Sequence, residues 1–288
     1  MIGIQTTNQN EIIAYTIWVN FYLQRKHIEI KDIFNDFKDG TNIIQLVELI
    51  YNEEIKESWD SNPTSPKKMK ENIKIAFNFL SSKNLHLYGI SPDDIVNNKK
   101  NAILNLIWNL IEHSLIKSIS YKNMTGKAAL LLWCKEVTIK YTNVKIVDFS
   151  RSWINCLGFC AIINHFSPQS LDYFNCNEVR KPNNLKLFTT SLQKLGIVSF
   201  ISPSNYNDIN SEKIFMIQLS FLFNFFTKKD TPVIKVESKP IDMQKKQTFH
   251  QPTSQIQIAD SPKPPITQNQ NNESKKSPQS IIIPPPSG

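Results

Sequence analysis

Glycine is scarce in this chain, with seven in 288 residues. No glycine-rich loop of the kind that cradles phosphates occurs, nor any calcium-loop or triad spacing. The four cysteines lack the spacing of a disulfide framework, which fits a reducing setting. No apolar run approaches the roughly 18 residues that a membrane span needs. Residues Met1 to Asn10 are polar, without a basic start or an apolar stretch, so no secretory signal is expected there. The histidines, His27, His86, His113, His165 and His250, are scattered, and none pairs with a nucleophile. Cys156 and Cys160 stand one helical turn apart with His165 beyond, but zinc needs a fuller ligand set, so they read as buried structural thiols. A non-enzyme without cofactor or metal is expected.

Acidic charge is short in the second half. The formal net charge is +8. Residues 1–117 carry 13 Lys/Arg against 14 Asp/Glu, residues 118–227 carry 11 against 6, and residues 228–288 carry 9 against 5. This asymmetry suits an acidic partner such as a filament or an anionic membrane. No dense Lys/Arg stripe with interleaved aromatics occurs, so nucleic acid is not an expected partner.

What the chain does contain is a long internal repeat. Trp18 is followed by Ile33-Phe34-Asn35-Asp36-Phe37-Lys38-Asp39-Gly40 and the apolar run Ile43-Ile44-Gln45-Leu46-Val47. About 115 residues later, Trp133-Cys134 opens a parallel passage through Val147 to Trp153 and Leu157-Gly158-Phe159-Cys160-Ala161-Ile162-Ile163. Ile90-Ser91-Pro92-Asp93 recurs as Ile201-Ser202-Pro203-Ser204. That period is too long for a solenoid and suits one compact domain. A module of about 110 residues buries about two thirds of its unfolded surface, enough to fold alone.

The periodicity within each module is helical. Glu11 to Arg25 shows a one-sided apolar stripe, and Thr41 to Tyr51 and Lys70 to Lys83 follow. Ser91-Pro92-Asp93-Asp94 reads as a helix start, with a serine cap, proline at the first position and two acids at the positive end of the dipole. Asn101 to Ile116 is apolar nearly all round and should be central to its domain or covered by a partner. The second module repeats the order at Lys127 to Tyr141, Leu157 to His165, Asn184 to Leu195 and Ser211 to Phe226, with Lys117 to Thr125 as a polar connector. Ten of the 16 prolines lie from Pro232 onward among Gln, Ser, Asn and Lys, so residues 228–288 are expected to be disordered. Pro262-Lys263-Pro264-Pro265 and Pro284-Pro285-Pro286 would suit SH3-type partners of this proline-rich tail, and Ser261 and Ser277 precede prolines where phosphate could be added. No heptads occur, so a monomer is expected.

These landmarks resemble calponin-homology domains. Trp18-Val19-Asn20, Asp36 to Gly40, Glu71-Asn72 with Ala76 to Leu80, Ile90 to Val96 and Leu106-Ile107-Trp108 resemble the leading member of a tandem pair. Leu132-Trp133-Cys134, Tyr141, Phe149, Ser152-Trp153, Leu157 to Ile163, Asn184-Leu185 and Leu195-Gly196-Ile197 resemble the trailing member. The resemblance implies an all-α fold: two calponin-homology helical bundles in tandem, residues 11–117 and 126–227, followed by a disordered tail. It also implies a cytoplasmic actin-filament-binding unit of the type found in α-actinin, filamin, spectrin and fimbrin. Carried onto matching positions, the filament contacts would be Thr16, Ile17, Val19, Asn20 and Leu23; then Lys99, Lys100, Asn101, Asn105, Leu106 and Trp108; then Lys127, Leu131 and Lys135. Lys99 and Lys100 would steer association, and Ile17, Leu23 and Leu106 would form an apolar patch.

The sequence departs from that pattern in three places. Gln9, Asn10 and Glu11 stand where the leading module normally carries a basic cluster. Asn155-Cys156 replaces the Asp-Gly pair of the trailing module. Glu136, Val137 and Thr142 occupy positions of a phosphoinositide-binding patch of some relatives, leaving Lys135, Lys140 and Lys145 as the lipid-binding candidates. The expected role is decoration or tethering of actin filaments. The alternative is a membrane-proximal adaptor whose basic second module and tail recruit phosphoinositide-containing membrane or signalling partners.

Overall fold

The computed structural model describes residues 9–201 and 211–228, so the Ser202-Pro203-Ser204 landmark and the proline-rich tail lie outside the described residues. The first module runs α1 (Gln9–Leu23), α2 (Thr41–Tyr51), α3 (Pro66–Ser82), α4 (Pro92–Val96) and α5 (Lys100–Ile111), closed by one turn of π-helix, Glu112–Ile116. The second runs α6 (Gly126–Thr138), α7 (Leu157–Phe166), α8 (Lys181–Leu195) and α9 (Glu212–Thr227). The fold is all-α apart from two short strands.

Local chemistry accounts for most helix ends. Ser65 caps α3 by accepting the Lys68 amide, with Pro66 in the first turn. The helix therefore starts ahead of the Lys70 that periodicity suggests. Ser91 and Asp94 form a full capping box around Pro92. Such reciprocal capping satisfies two amide donors that a five-residue helix cannot satisfy itself.

The connector read as merely polar is a β-hairpin. Strands β1 (Ser120–Tyr121) and β2 (Met124–Thr125) pair antiparallel, and Lys122 takes a positive φ of 53° in the turn. Tyr121 Oη and Lys122 Nζ both reach Glu136 on α6, which holds that carboxyl below its usual range, Lys122 contributing most. Glu136 thus anchors the connector to the second module.

Two asparagines repeat one packing device. Asn72, 1% exposed, donates to the Asp39 and Asp60 carbonyls and accepts the Asp60 amide. Asn184, fully buried, donates to the Asn155 and Asn177 carbonyls and accepts the Asn177 amide. Each ties the long loops of its module to the helix that carries it. Beside Asn72 lies Gly40, with φ +81°, where an added Cβ would sit 2.8 Å from the Asn72 Cβ. Cys156 fills the corresponding position before α7 with φ +60°. Substituting Gly40→Ala combines left-handed backbone strain with overpacking and should destabilise the protein by about 3 kcal/mol. A chemical-denaturation midpoint unchanged by this substitution would contradict that account.

Each core is built around buried aromatics. Trp18 and Tyr15 are fully buried in the first module, and Phe159 in the second lies 4.7 Å from Trp153 and 4.8 Å from Phe188 between ring centroids. The thiols of Cys156 and Cys160 are buried while His165 is exposed, so they share no metal site. Among the described residues no group of three or more metal-ligating side chains converges.

Candidate filament-binding surface

Helix α1 buries two of its five expected contact residues and leaves the other three partly covered. Val19 and Leu23 are fully buried in the core, one helical turn apart on the face that packs toward α2 and α5. Thr16 donates its hydroxyl to the Ile12 carbonyl, and Ile17 is partly buried against the core. Asn20 exchanges two hydrogen bonds with the Ile30 backbone, at 2.9 and 2.7 Å, so its amide holds a loop. Leu106 on α5 is fully buried as well. The apolar patch of Ile17, Leu23 and Leu106 is therefore not a presented surface. The one-sided stripe expected for α1 is also corrected, because Ile12, Ile17 and Tyr22 pack alongside the buried face and Phe21 meets Phe221 of α9 at 5.0 Å. A helix flanked by both modules needs apolar residues nearly all round.

The start of α5 is different. Lys99, Lys100, Asn101 and Asn105 are all exposed. With Asp94, Ala102 and Gly89 they line an open depression of about 500 Å³. Lys99 pairs with Asp94, and that pairing, with the Ser91 hydroxyl and amide, keeps the Asp94 carboxyl well below the usual carboxylate range. Lys100 lies 5.4 Å from the Phe34 ring centroid and makes no ion pair among the described residues. Lys99 is the N-cap residue of α5 and Lys100 its first helical residue.

Further along α5, Trp108 is only partly buried by its own module. Its ring stacks on Tyr15 at 6.3 Å and lies under Lys213 of α9, whose ammonium is 5.1 Å from the centroid. The same lysine approaches Glu11 at 3.5 Å, and Ser211 donates to Glu11 at 2.8 Å. Glu11, which displaces the basic cluster expected before Trp18, thus has a partner 200 residues away. Lys127 pairs with Glu112 at 3.2 Å across the same junction, Leu131 is partly buried, and Lys135 is exposed. Lys140 and Lys145 are exposed on the loop after α6. Sequence reasoning missed Lys213 and Ser211 because their partners lie in the other module; an acid in place of an expected base was the visible signal.

Residues 10–116 and 124–228 each match the calponin homology (CH) domain. The chain belongs to the calponin homology family. Its tandem CH region is 33% identical over 222 residues to alpha-actinin-like protein 1 of Schizosaccharomyces pombe, covering 75% of this chain and 36% of that protein. It is 33% identical over 184 residues to human alpha-actinin-1, covering 62% and 19%, and 29% identical over 239 residues to the erythrocytic spectrin beta chain of Mus musculus, covering 79% and 11%. This CH-domain chain thus spans about a third or less of the length of those relatives. Among solved structures, the actin-crosslinking core of S. pombe fimbrin superposes with a TM-score of 0.59 at 16% identity, over 76% of this chain and 50% of that one, which shows the shared fold.

Proposed function

We propose that the tandem CH pair attaches this protein to actin filaments in the cytoplasm, through the surface at the start of α5. The observation that carries this reading is the convergence of Lys99, Lys100, Asn101 and Asn105 on one open depression. An acidic filament face would be steered to the lysines, and the amides would supply hydrogen bonds at contact. Similarity to alpha-actinin and to the fimbrin core, whose name records actin cross-linking, supports the same reading. The second module plays a restraining part: Lys213 lies over one face of Trp108, so that face becomes available to a filament when the modules separate. The lipid-adaptor alternative has only the exposure of Lys135, Lys140 and Lys145 in its favour.

High-speed co-sedimentation of the full chain with filamentous actin at two salt concentrations tests this. Saturable pelleting that weakens with added salt is expected. The double substitution Lys99→Glu with Lys100→Glu should lower affinity about tenfold while leaving the fold intact, since surface ion pairs contribute less than about 1 kcal/mol. Affinity unaltered by this double reversal would move the filament site away from α5.

A further inference from the structure

Among the described residues of the first module, Tyr88 is the one large hydrophobic side chain left exposed, at 88%. Among the described residues its ring is neighboured by His86, with centroids 6.1 Å apart, and its hydroxyl makes no hydrogen bond. Nothing in the fold requires a tyrosine there. Tyr88 and Gly89 are the turn residues between Leu85 and Ile90, which are 6% and 8% exposed. Gly89 has φ +72°, and a Cβ there would meet nothing within 4 Å, so the conformation of the turn and not crowding calls for glycine. The turn between these two buried residues therefore presents an aromatic side chain to solvent.

The position of Tyr88 matters because its neighbour Gly89 lines the depression formed by Lys99, Lys100, Asn101 and Asn105. An exposed amphipathic ring is thus carried by the residue next to one wall of a hollow lined by two lysines, two asparagine amides and Asp94. This combination suits a protein segment that offers a carboxylate to the lysines and an apolar neighbour to the ring. Tyrosine is among the side chains that most often carry binding energy in such settings, because it buries a large rigid face with few rotamers to freeze.

We propose that Tyr88 is a further filament contact, an aromatic anchor that packs against an acidic, partly apolar segment on the outer face of actin while Lys99 and Lys100 engage its charge. The inference rests on the filament reading above and extends it from α5 to the turn before α4. An anchor of this kind contributes by removing both partners' apolar surface from water, so its effect should not weaken with salt, unlike that of the lysines.

Co-sedimentation of the full chain carrying Tyr88→Ser, Tyr88→Phe, or Lys99→Glu with Lys100→Glu, at two salt concentrations, tests this. Tyr88→Ser should weaken filament binding about tenfold at both salt concentrations. Tyr88→Phe, which keeps the ring face, should bind close to the parent. Both should show the parent's melting curve by circular dichroism, as the side chain is solvated in the free protein. If Tyr88→Ser binds like the parent while the lysine double variant is weakened, Tyr88 is not a contact and the α5 surface stands without it. If the lysine double variant also binds like the parent, the α5 reading fails and this inference fails with it.

Discussion

Replacing Lys213 with Glu is expected to tighten filament binding about tenfold and to loosen the contact between the two CH modules. Lys213 serves two groups of the first module at once, lying over the Trp108 ring and beside the Glu11 carboxylate. A partly desolvated cation–π contact contributes about 1 kcal/mol, and exchanging attraction for repulsion at Glu11 adds a comparable amount. If the closed arrangement dominates at rest, apparent affinity for a partner of the open state is reduced by the fraction that is open. A shift of about 1.4 kcal/mol toward opening therefore raises apparent affinity about tenfold. Co-sedimentation gives the affinity, and small-angle scattering of the free protein gives the opening as a larger radius of gyration. Opening without tighter binding would mean that the covered ring is not part of the filament site. Unaltered scattering and affinity together would mean that Phe21 against Phe221 holds the modules without help from Lys213.

Replacing Asn72 with Ala should be strongly destabilising. The side chain makes three hydrogen bonds to backbone groups of two different loops, at 2.8 to 3.2 Å. Alanine would leave one amide and two carbonyls without partners in a region that water enters poorly. At about 1 kcal/mol or more for each group left unmatched, the loss is about 3 to 4 kcal/mol. For a protein of this size that corresponds to a fall in melting temperature of about 10 °C. Asn184→Ala removes the same three-bond pattern from the second module and should cost a similar amount. A fall under about 2 °C for either variant would show that water replaces the amide, and that these asparagines do not hold the loops.

Much of this architecture was legible in the residue order. The repeat between Trp18 and Trp133 announces two modules, and the helix Thr41 to Tyr51 falls where its apolar spacing places it. The Ser91-Pro92-Asp93-Asp94 cap forms as its side chains suggest. These features rest on interactions between residues a few positions apart, which the sequence displays directly. The surface at α5 came instead from the family resemblance, which picks out Lys99, Lys100, Asn101 and Asn105 in a stretch that periodicity reads as apolar nearly all round; the structure leaves all four exposed.

The α1 half of the expected site was not legible. Val19, Leu23 and Leu106 look the same in sequence whether they face a filament or a core, and the structure assigns them to the core. Asn20 could have offered its amide to a partner, but Ile30 takes it. The connector gave no period of two, because strands of two residues are too short to show one, and its hold on Glu136 spans 14 and 15 residues. Sequence alone determined the number of modules and their helical class, because both follow from the internal repeat, local periodicity and capping. Tertiary structure alone decided that Glu11 holds the second module, that Trp108 lies beneath Lys213, and that α1 is covered on both sides. Each of those depends on which helix arrives from 100 to 200 residues away to cover a given face, and no local pattern records that arrival.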